Sequence, residues 1–162
     1  ALSAIDSLKD LTNCKYITAH ANGGLDMLKA IKKKAQQTNK NLKVLGVTVL
    51  TSLNNKSLKE IGYTKNLDRL VLRQAGVIKK AGLHGIVLSA KEATMVKRKY
   101  KRLFIVSPGI RIPGDKANDQ MRIATPYEAL KKNKVSAIVM GRSITKGNIK
   151  KNIKKLINHL NK

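Results

Sequence analysis

Several residue types are scarce in this chain of 162 residues, and each shortage excludes a class of protein. The single cysteine, Cys14, excludes an internal disulfide and suits a reducing, cytoplasmic compartment. No apolar run approaches the roughly 20 residues of a membrane span, so we expect no membrane partner. Aromatic residues make up 3% of the chain, too few to form a stacking platform for single-stranded nucleic acid. The three histidines lack metal-ligand spacing, and we infer no metal site.

Acidic residues are also few, which leaves a large positive charge. Thirty-four Lys and Arg face nine Asp and Glu, giving a formal net charge of +25. Such a charge attracts polyanions, so a basic nucleic-acid-binding or surface-binding protein is one alternative. However, the lysines are spread over nearly every helical segment, and no helix-turn-helix, zinc-finger or RNA-recognition motif is present. We therefore expect nucleic acid to bind only non-specifically, through net charge.

The hydrophobic content, 42%, is that of a globular chain, and the length predicts one domain over residues 1–162. Its periodicity predicts a helix over 1–12, followed by about five alternations of strand and helix. The segment from 53 to 65 has no clear period. The predicted strands are 15–20, 44–50, 85–88, 103–106 and 135–140. The later helices are predicted over 25–37, 67–81 and 91–100, from the Thr125-Pro126 start, and over 149–160.

Continuous apolar strands that alternate with amphipathic helices predict a parallel sheet covered by helices. Chemically usable residues follow each strand: His20, Thr51 with Ser52, Ser89, Arg111, and Gly141 with Arg142. That arrangement is typical of a (β/α)₈ TIM barrel, whereas a doubly wound sheet concentrates its site at one switch point. The sequence also lacks Gly-x-Gly-x-x-Gly and Gly-Lys-Ser/Thr loops. Five strands are too few to close a barrel, so we predict an α/β fold that is a partial TIM barrel, its last five βα units.

Two arginines follow the last two predicted strands. Arg111 ends the turn Ser107-Pro108-Gly109-Ile110-Arg111, Arg142 follows Gly141, and the loop between them carries Gln120. Two guanidiniums, an amide and glycine N–H groups beyond strand ends can form a seat for a phosphorylated ligand. The alternative is a solvated loop with ordinary surface arginines.

Six further segments support a family resemblance because they occur in a fixed order. Together with Ala19-His20-Ala21-Asn22-Gly23-Gly24, they closely resemble the orotidine 5′-monophosphate decarboxylase family, in its bacterial-type branch. The segments are Val47-Thr48-Val49-Leu50-Thr51-Ser52, Gly85-Ile86-Val87-Leu88-Ser89-Ala90-Lys91-Glu92-Ala93, Ser107-Pro108-Gly109-Ile110-Arg111, Asp119-Gln120, Ala124-Thr125-Pro126 and Gly141-Arg142-Ser143-Ile144-Thr145. The resemblance covers essentially the whole chain.

The resemblance implies a homodimeric (β/α)₈ barrel that converts orotidine 5′-monophosphate to uridine 5′-monophosphate and carbon dioxide, with neither metal nor organic cofactor. It implies that Thr51 lies near the pyrimidine ring and that Gln120 closes over the ligand from the phosphate side. Arg142 matches the main phosphate guanidinium, and the Gly141 backbone lets the phosphate approach closely. Arg111 matches a further substrate-contacting position.

The family's catalytic residues have no counterpart in this sequence. That chemistry rests on Asp-x-Lys-x-x-Asp, whose Lys delivers a proton as carbon dioxide leaves. Of the six aspartates here, none is followed two positions later by Lys. We therefore name no catalytic residue and expect the motif upstream of Ala1, supplied by a complementing N-terminal segment. We expect this chain to be inactive alone, as a fragment of a decarboxylase. The alternative is a degenerate, non-catalytic nucleotide- or phosphate-binding module.

Overall fold

A computed structural model describes residues 2–11, 13–115 and 121–161. Five parallel strands form one sheet in which every strand pairs with the next along the chain. A doubly wound sheet would reverse its strand order at a switch point, and this sheet does not. Its order is that of consecutive βα units in a barrel wall. The strands are β1 (Tyr16–His20), β2 (Lys43–Val47), β3 (Gly85–Val87), β4 (Phe104–Ser107) and β5 (Ala137–Ile138).

Helical segments connect the strands, as parallel pairing requires. The α-helices are α1 (Leu2–Asp6), α2 (Gly24–Thr38), α3 (Asn55–Glu60), α4 (Leu67–Lys80), α5 (Ala90–Lys99), α6 (Arg142–Thr145) and α7 (Ile149–Leu160). A short 3₁₀-helix (Ala21–Gly23) precedes α2, and a π-helix (Glu128–Lys132) lies between β4 and β5. In the described part of the chain, no helix is long and apolar enough to cross a membrane.

Short polar side chains fix where several helices begin. The side chains of Asn54, Asn66, Ser89 and Asn148 each accept a hydrogen bond from a backbone N–H in the first turn of the helix that follows. Such caps satisfy donors that would otherwise have no partner. The Asn54 cap also explains why α3 forms within the segment 53–65, where the apolar pattern has no clear period and predicts no regular structure.

The predicted helix start at Thr125-Pro126 is confirmed. The Thr125 N–H donates to Glu128 Oε2 (2.8 Å), and the Glu128 N–H donates to Thr125 Oγ1 (3.2 Å). This reciprocal pair is a capping box. The backbone hydrogen bond from Thr125 lowers the pKa of the Glu128 carboxyl, and so does the Thr125 hydroxyl. A lowered pKa means that this contribution to stability is present above the ordinary Glu range and is lost as the pH falls through the folded-state value.

The core lies between the sheet and the helices α2, α4 and α5. Apolar side chains at helical spacing face the sheet from each helix, and the central strands β2 to β4 supply the other side. The fully or almost fully buried members include Leu28, Ile31, Val71, Ile78, Val96, Val44, Ile86 and Ile105.

Gly46 marks the closest approach of α4 to the sheet. A β-carbon at this position of β2 would lie 2.4 Å from Cγ1 and 2.5 Å from Cδ1 of the fully buried Ile78. Overpacking of this kind typically costs about 1–3 kcal/mol. We expect Gly46→Ala to lower the free energy of unfolding by that amount, measured by urea denaturation at one fixed protein concentration.

The control for this prediction is a double-mutant cycle. Ile78→Ala alone should destabilise by about 2–5 kcal/mol, because it leaves a cavity. The combined variant should lose at least about 1 kcal/mol less than the sum of the two single changes, because the new methyl group occupies part of that cavity. Simple additivity would contradict the close approach.

The N-terminal helix is shorter than predicted. It ends at Asp6, and the chain continues in turns in which the N–H groups of Leu8, Lys9 and Leu11 each bond to the carbonyl three residues earlier. Ile5 is buried, but Leu11 is 53% exposed. The prediction of a helix over residues 7–11 is wrong because the apolar period has no surface to pack against beyond Leu8. Thr12 lies outside the described residues.

The last predicted strand, 135–140, is also shorter in the structure and less buried. Only β5 (Ala137–Ile138) is regular, although the N–H groups of Ser136 and Val139 also bond to carbonyls of β4. Val139 is 51% exposed. A short apolar run of this kind predicts a fully buried strand, but within the described sheet β5 is an edge strand without a neighbour on its outer side, so one side of the run lacks cover.

Candidate functional site

The carboxyl ends of β2 to β5 border two adjoining cavities. The first, the polar cavity, has a volume of about 280 Å³, and its lining is mostly charged or polar: Arg111, Gly114, Asp115, Arg142, Ser143, Lys146 and Asn152. The second, the apolar cavity, is about 360 Å³ and is lined by Val47, Val49, Leu50, Thr51, Val87, Leu88, Pro108, Gly109, Arg111, Val139, Gly141 and Arg142. Arg111 and Arg142 line both. The two cavities together suit a small ligand with one anionic end and one flat, apolar end.

Arg111 is held at the junction of the two cavities by the turn after β4. Gly109 has a φ of +74°, a conformation that favours glycine, and its carbonyl accepts a hydrogen bond from the Ala124 N–H. The Arg111 N–H in turn donates to the Ala124 carbonyl (3.0 Å). The backbone around Arg111 is therefore fixed by contacts on both sides of the turn.

Arg111 is only 6% exposed, yet not every N–H group of its guanidinium has a hydrogen-bond partner among the described residues. Nη1 donates to the Ile110 carbonyl (2.9 Å), and Nε has no hydrogen-bond partner among the described residues. A buried donor without a partner is costly. An anionic oxygen in the polar cavity would satisfy it.

Gly141 is the N-cap of α6 and Arg142 its first residue, and two residues separate Gly141 from the end of β5. Both are exposed, so the Arg142 side chain is accessible at the mouth of the cavities. The Gly141 carbonyl accepts from the N–H groups of Ile144 (2.8 Å) and Thr145 (3.0 Å), which orders this turn. Ser143 is buried, and its hydroxyl has no hydrogen-bond partner among the described residues. Ser143 and Lys146 line the polar cavity but are not among the binding residues that the sequence predicts. The only sequence signal for Ser143 is its place in the Gly-Arg-Ser-Ile-Thr segment.

Thr51 is buried in the lining of the apolar cavity. It lies beyond the end of β2, in a stretch without regular structure rather than at the end of the strand predicted over 44–50. The structure therefore brings Thr51, Arg111, Gly141 and Arg142 together around the two cavities. Gln120, the remaining predicted contact, lies outside the described residues.

Sequence reasoning missed a buried ion pair between Arg122 and Glu92. Nη1 of Arg122 lies 2.7 Å from Oε2 of Glu92, although the angle is not that of an aligned hydrogen bond. Burial raises the pKa of the Glu92 carboxyl, and the adjacent guanidinium of Arg122 partly offsets the rise. A signal was available, because Glu92 shares the core-facing stripe of α5 with Ala93 and Val96. A carboxylate on a buried face requires a cationic partner.

Among the described residues, the ionisable side chains that line the apolar cavity are those of Arg111 and Arg142. A guanidinium is a hydrogen-bond donor and not a general acid or base at neutral pH. In the polar cavity, the described lining adds the ammonium of Lys146 and the carboxylate of Asp115. Across the described ranges, no three His, Cys, Asp or Glu side chains form a group able to hold a metal ion. The described residues can bind and orient an anionic ligand, and none of those that line the apolar cavity is a general acid or base.

Comparisons with known proteins show which family the chain resembles. A sequence profile of the orotidine 5′-phosphate decarboxylase / HUMPS family matches residues 7–155. An orotidine 5′-phosphate decarboxylase of Wolbachia sp. subsp. Brugia malayi (strain TRS) is 40% identical over 154 residues, which are 94% of this chain and 66% of the relative. That of Buchnera aphidicola subsp. Acyrthosiphon pisum (strain Tuc7) is 42% identical over 144 residues, 86% of this chain and 58% of the relative.

The crystal structure of orotidine 5′-phosphate decarboxylase from Lactobacillus acidophilus superposes with a TM-score of 0.81 at 28% identity, covering 99% of this chain and 69% of that one. This chain thus spans about three-fifths to two-thirds of the curated relatives it matches. The prediction of an α/β fold that is a partial (β/α)₈ barrel is confirmed. The chain belongs to the orotidine 5′-phosphate decarboxylase / HUMPS family, and its parallel sheet is part of that barrel.

Proposed function

We propose that this chain forms the nucleotide-binding part of an orotidine 5′-monophosphate decarboxylase. The observation that supports this proposal is that two adjoining cavities share Arg111 and Arg142 in their linings. In this proposal the phosphate of orotidine or uridine 5′-monophosphate occupies the polar cavity, and the pyrimidine occupies the apolar cavity beside Thr51. Arg111 and Arg142 then hold the phosphate between them from the junction of the two cavities.

Charge supports this placement of the phosphate. Among the described residues that line the polar cavity, Arg111, Arg142 and Lys146 carry positive charge and Asp115 carries negative charge. Charge-assisted hydrogen bonds from guanidinium to phosphate are stronger than neutral ones, and a guanidinium can donate two at once. The unsatisfied Nε of Arg111 and the hydroxyl of Ser143 offer further donors. A neutral nucleoside would leave these groups without a partner.

The chemistry at the pyrimidine is proposed to come from elsewhere in the complete enzyme. A Lys positioned by carboxylates would protonate the pyrimidine carbon as carbon dioxide leaves, and this sequence has no such array. The proposal assigns it to a complementing segment of βα units that pairs with the free edges of β1 and β5 and closes the barrel. In the family the closed barrels form homodimers, and we extend that expectation to the completed protein.

A degenerate binding module, with the phosphate grip but no catalytic array in the complete protein, is the alternative. Both proposals predict the same ligand preference for this chain. They differ only once the complementing segment is present, because a decarboxylase would then turn over orotidine 5′-monophosphate and a binding module would not.

The test of ligand binding is calorimetric titration of the chain. We expect uridine 5′-monophosphate to bind more tightly than uridine, because only the nucleotide carries a phosphate for the polar cavity. Arg142→Ala should weaken the nucleotide by roughly ten- to a hundred-fold, the loss of one charge-assisted contact of about 1.5–3 kcal/mol. Binding of uridine should change little.

The net charge of +25 could also attract a phosphate non-specifically. Lys155→Ala is therefore the matched control, since Lys155 is an exposed cation on α7 that lines neither cavity. Titrations at low and high salt separate the two cases, because diffuse attraction fades with ionic strength faster than a bidentate contact does. If both variants lose the same affinity for the nucleotide and high salt abolishes binding, the phosphate does not bind in the polar cavity, and the basic-surface alternative is favoured.

A further inference from the structure

The side chain of Arg122 contacts the segment that carries Thr51. Nη2 of Arg122 donates to the carbonyls of Val49 (3.0 Å) and Leu50 (2.8 Å), while Nη1 pairs with Glu92 in the first turn of α5. Arg122 is 8% exposed and Glu92 5%, so water contributes little to either group. One guanidinium thus connects a segment without regular structure to a packed helix.

The backbone beside Arg122 makes the same connection. The N–H groups of Met121 and Arg122 both donate to the Thr51 carbonyl (3.2 Å each), and the Ser89 hydroxyl donates to the Arg122 carbonyl (3.4 Å). Three successive carbonyls, those of Val49, Leu50 and Thr51, therefore accept hydrogen bonds from residues 121 and 122. Ser89 is also the N-cap of α5, so both anchors lie at the start of that helix.

The start of this segment is anchored separately. The N–H and the hydroxyl of Thr48 each donate to the Val87 carbonyl of β3 (3.0 Å each). Among the hydrogen bonds of the described residues, the Leu53 N–H to Leu50 carbonyl contact (3.0 Å) is internal to the segment. Arg122 and Met121 together hold the carbonyls of Val49, Leu50 and Thr51.

We infer that Arg122 is a positioning residue that fixes the Thr51 segment against α5 and thereby shapes the apolar cavity for a base. Arg122 lines neither of the two ligand cavities, so it acts through Thr51 rather than on the ligand. The identity of the ligand rests on the proposed function, whereas the hydrogen bonds from Arg122 to the segment do not depend on it. In this role, Arg122 raises the affinity for ligands that carry a base and leaves the affinity for the phosphate unchanged.

The experiment uses the double variant Glu92→Met/Arg122→Met. Removing Arg122 alone would leave a buried carboxylate without its cation, whereas an apolar pair of similar volume is commonly tolerated. Glu92→Gln is the matched control, because it removes the ion pair but leaves the donors to Val49 and Leu50 in place. Arg122→Lys is a second variant, since one ammonium can pair with Glu92 but cannot reproduce the guanidinium fork.

Two readouts are measured on each variant. The first is amide hydrogen exchange at positions 53, 121 and 122, whose N–H groups donate to the carbonyls of Leu50 and Thr51. Positions in β3 and β4 are the internal references. The second is affinity for uridine 5′-monophosphate and for ribose 5-phosphate, which has no base. In the double variant we expect exchange at the three positions to rise at least about tenfold. Affinity for the nucleotide should fall about tenfold, and affinity for ribose 5-phosphate should stay within about twofold.

Unchanged exchange at these positions in the double variant would overturn the inference. An equal loss of affinity for both ligands would overturn it too, because that is the result of general destabilisation. Exchange near the wild-type level in Glu92→Gln, with a partial rise in Arg122→Lys, would support it. If the wild-type chain binds neither ligand, the proposed function fails, and the exchange result alone decides whether Arg122 holds the Thr51 segment.

Discussion

We expect the purified chain to leave orotidine 5′-monophosphate unconverted above the uncatalysed background. The phosphate grip positions the ligand, but decarboxylation requires a proton donor and carboxylates beside the reacting carbon. In the part of the chain that the structure describes, Arg111 and Arg142 are the ionisable groups that line the apolar cavity, and a guanidinium is not a proton donor for catalysis at neutral pH. Since positioned acid–base groups alone contribute about 10²–10⁴-fold, we expect a rate at least about 10²-fold below that of a full-length relative.

The measurement is the change in absorbance as the substrate is consumed, with the Wolbachia decarboxylase, 40% identical to this chain, as the positive control. Arg142→Ala serves as the second control, because any genuine turnover in the proposed site must depend on the phosphate contact. Turnover near the rate of the full-length enzyme, lost in Arg142→Ala, would show that this chain carries a catalytic group which its sequence does not reveal.

The fold could be predicted from the sequence because its signals are local. Short apolar runs followed by amphipathic segments identify βα units, and the residue after each strand identifies the functional edge. Thr51, Arg111 and Arg142 were found in this way because each follows a strand in the chain. The lengths of the elements were less predictable, since α1 and β5 end where the packing surface ends rather than where the sequence pattern does.

The contribution of Arg122 could not be predicted in the same way. It lies in a polar stretch with no period, and its partners are 30 residues away in α5 and about 72 residues away after β2. Only Glu92 carried a local signal, as a charge on the apolar face of a helix. The two polar groups that complete the polar cavity, Ser143 and Lys146, were likewise located by the arrangement of the loops and not by spacing.

The open sheet leads to the second large expected effect, which is self-association of the isolated chain. Strands β1 and β5 each lack a neighbour on one side in the described sheet, and Tyr16 at the β1 edge is 44% exposed. Helix α7 has no buried residue, and its isoleucines Ile149, Ile153 and Ile157 are 50%, 42% and 51% exposed. Unpaired edges and apolar stripes of this kind promote association unless another segment covers them.

We expect light scattering to show a molar mass that rises with concentration for the wild-type chain. The variant Ile149→Gln/Ile153→Gln/Ile157→Gln should dissociate at about a hundred-fold higher concentration. Burying the exposed half of one Ile contributes about 1 kcal/mol, so three contribute about 3 kcal/mol. Asn158→Gln, an exposed position on the same helix, is the matched control and should behave as the wild type.

The same measurement bears on how the barrel is completed. If the stripe on α7 and the strand edges are the surfaces that a complementing segment covers, a chain with the α7 stripe removed should remain folded but lose the ability to pair through it. A wild-type chain that is a monodisperse monomer at all concentrations, unfolds cooperatively and exchanges slowly at Ile17 in β1 would contradict this account. The five βα units would then be stable alone, and the exposed isoleucines would need no cover.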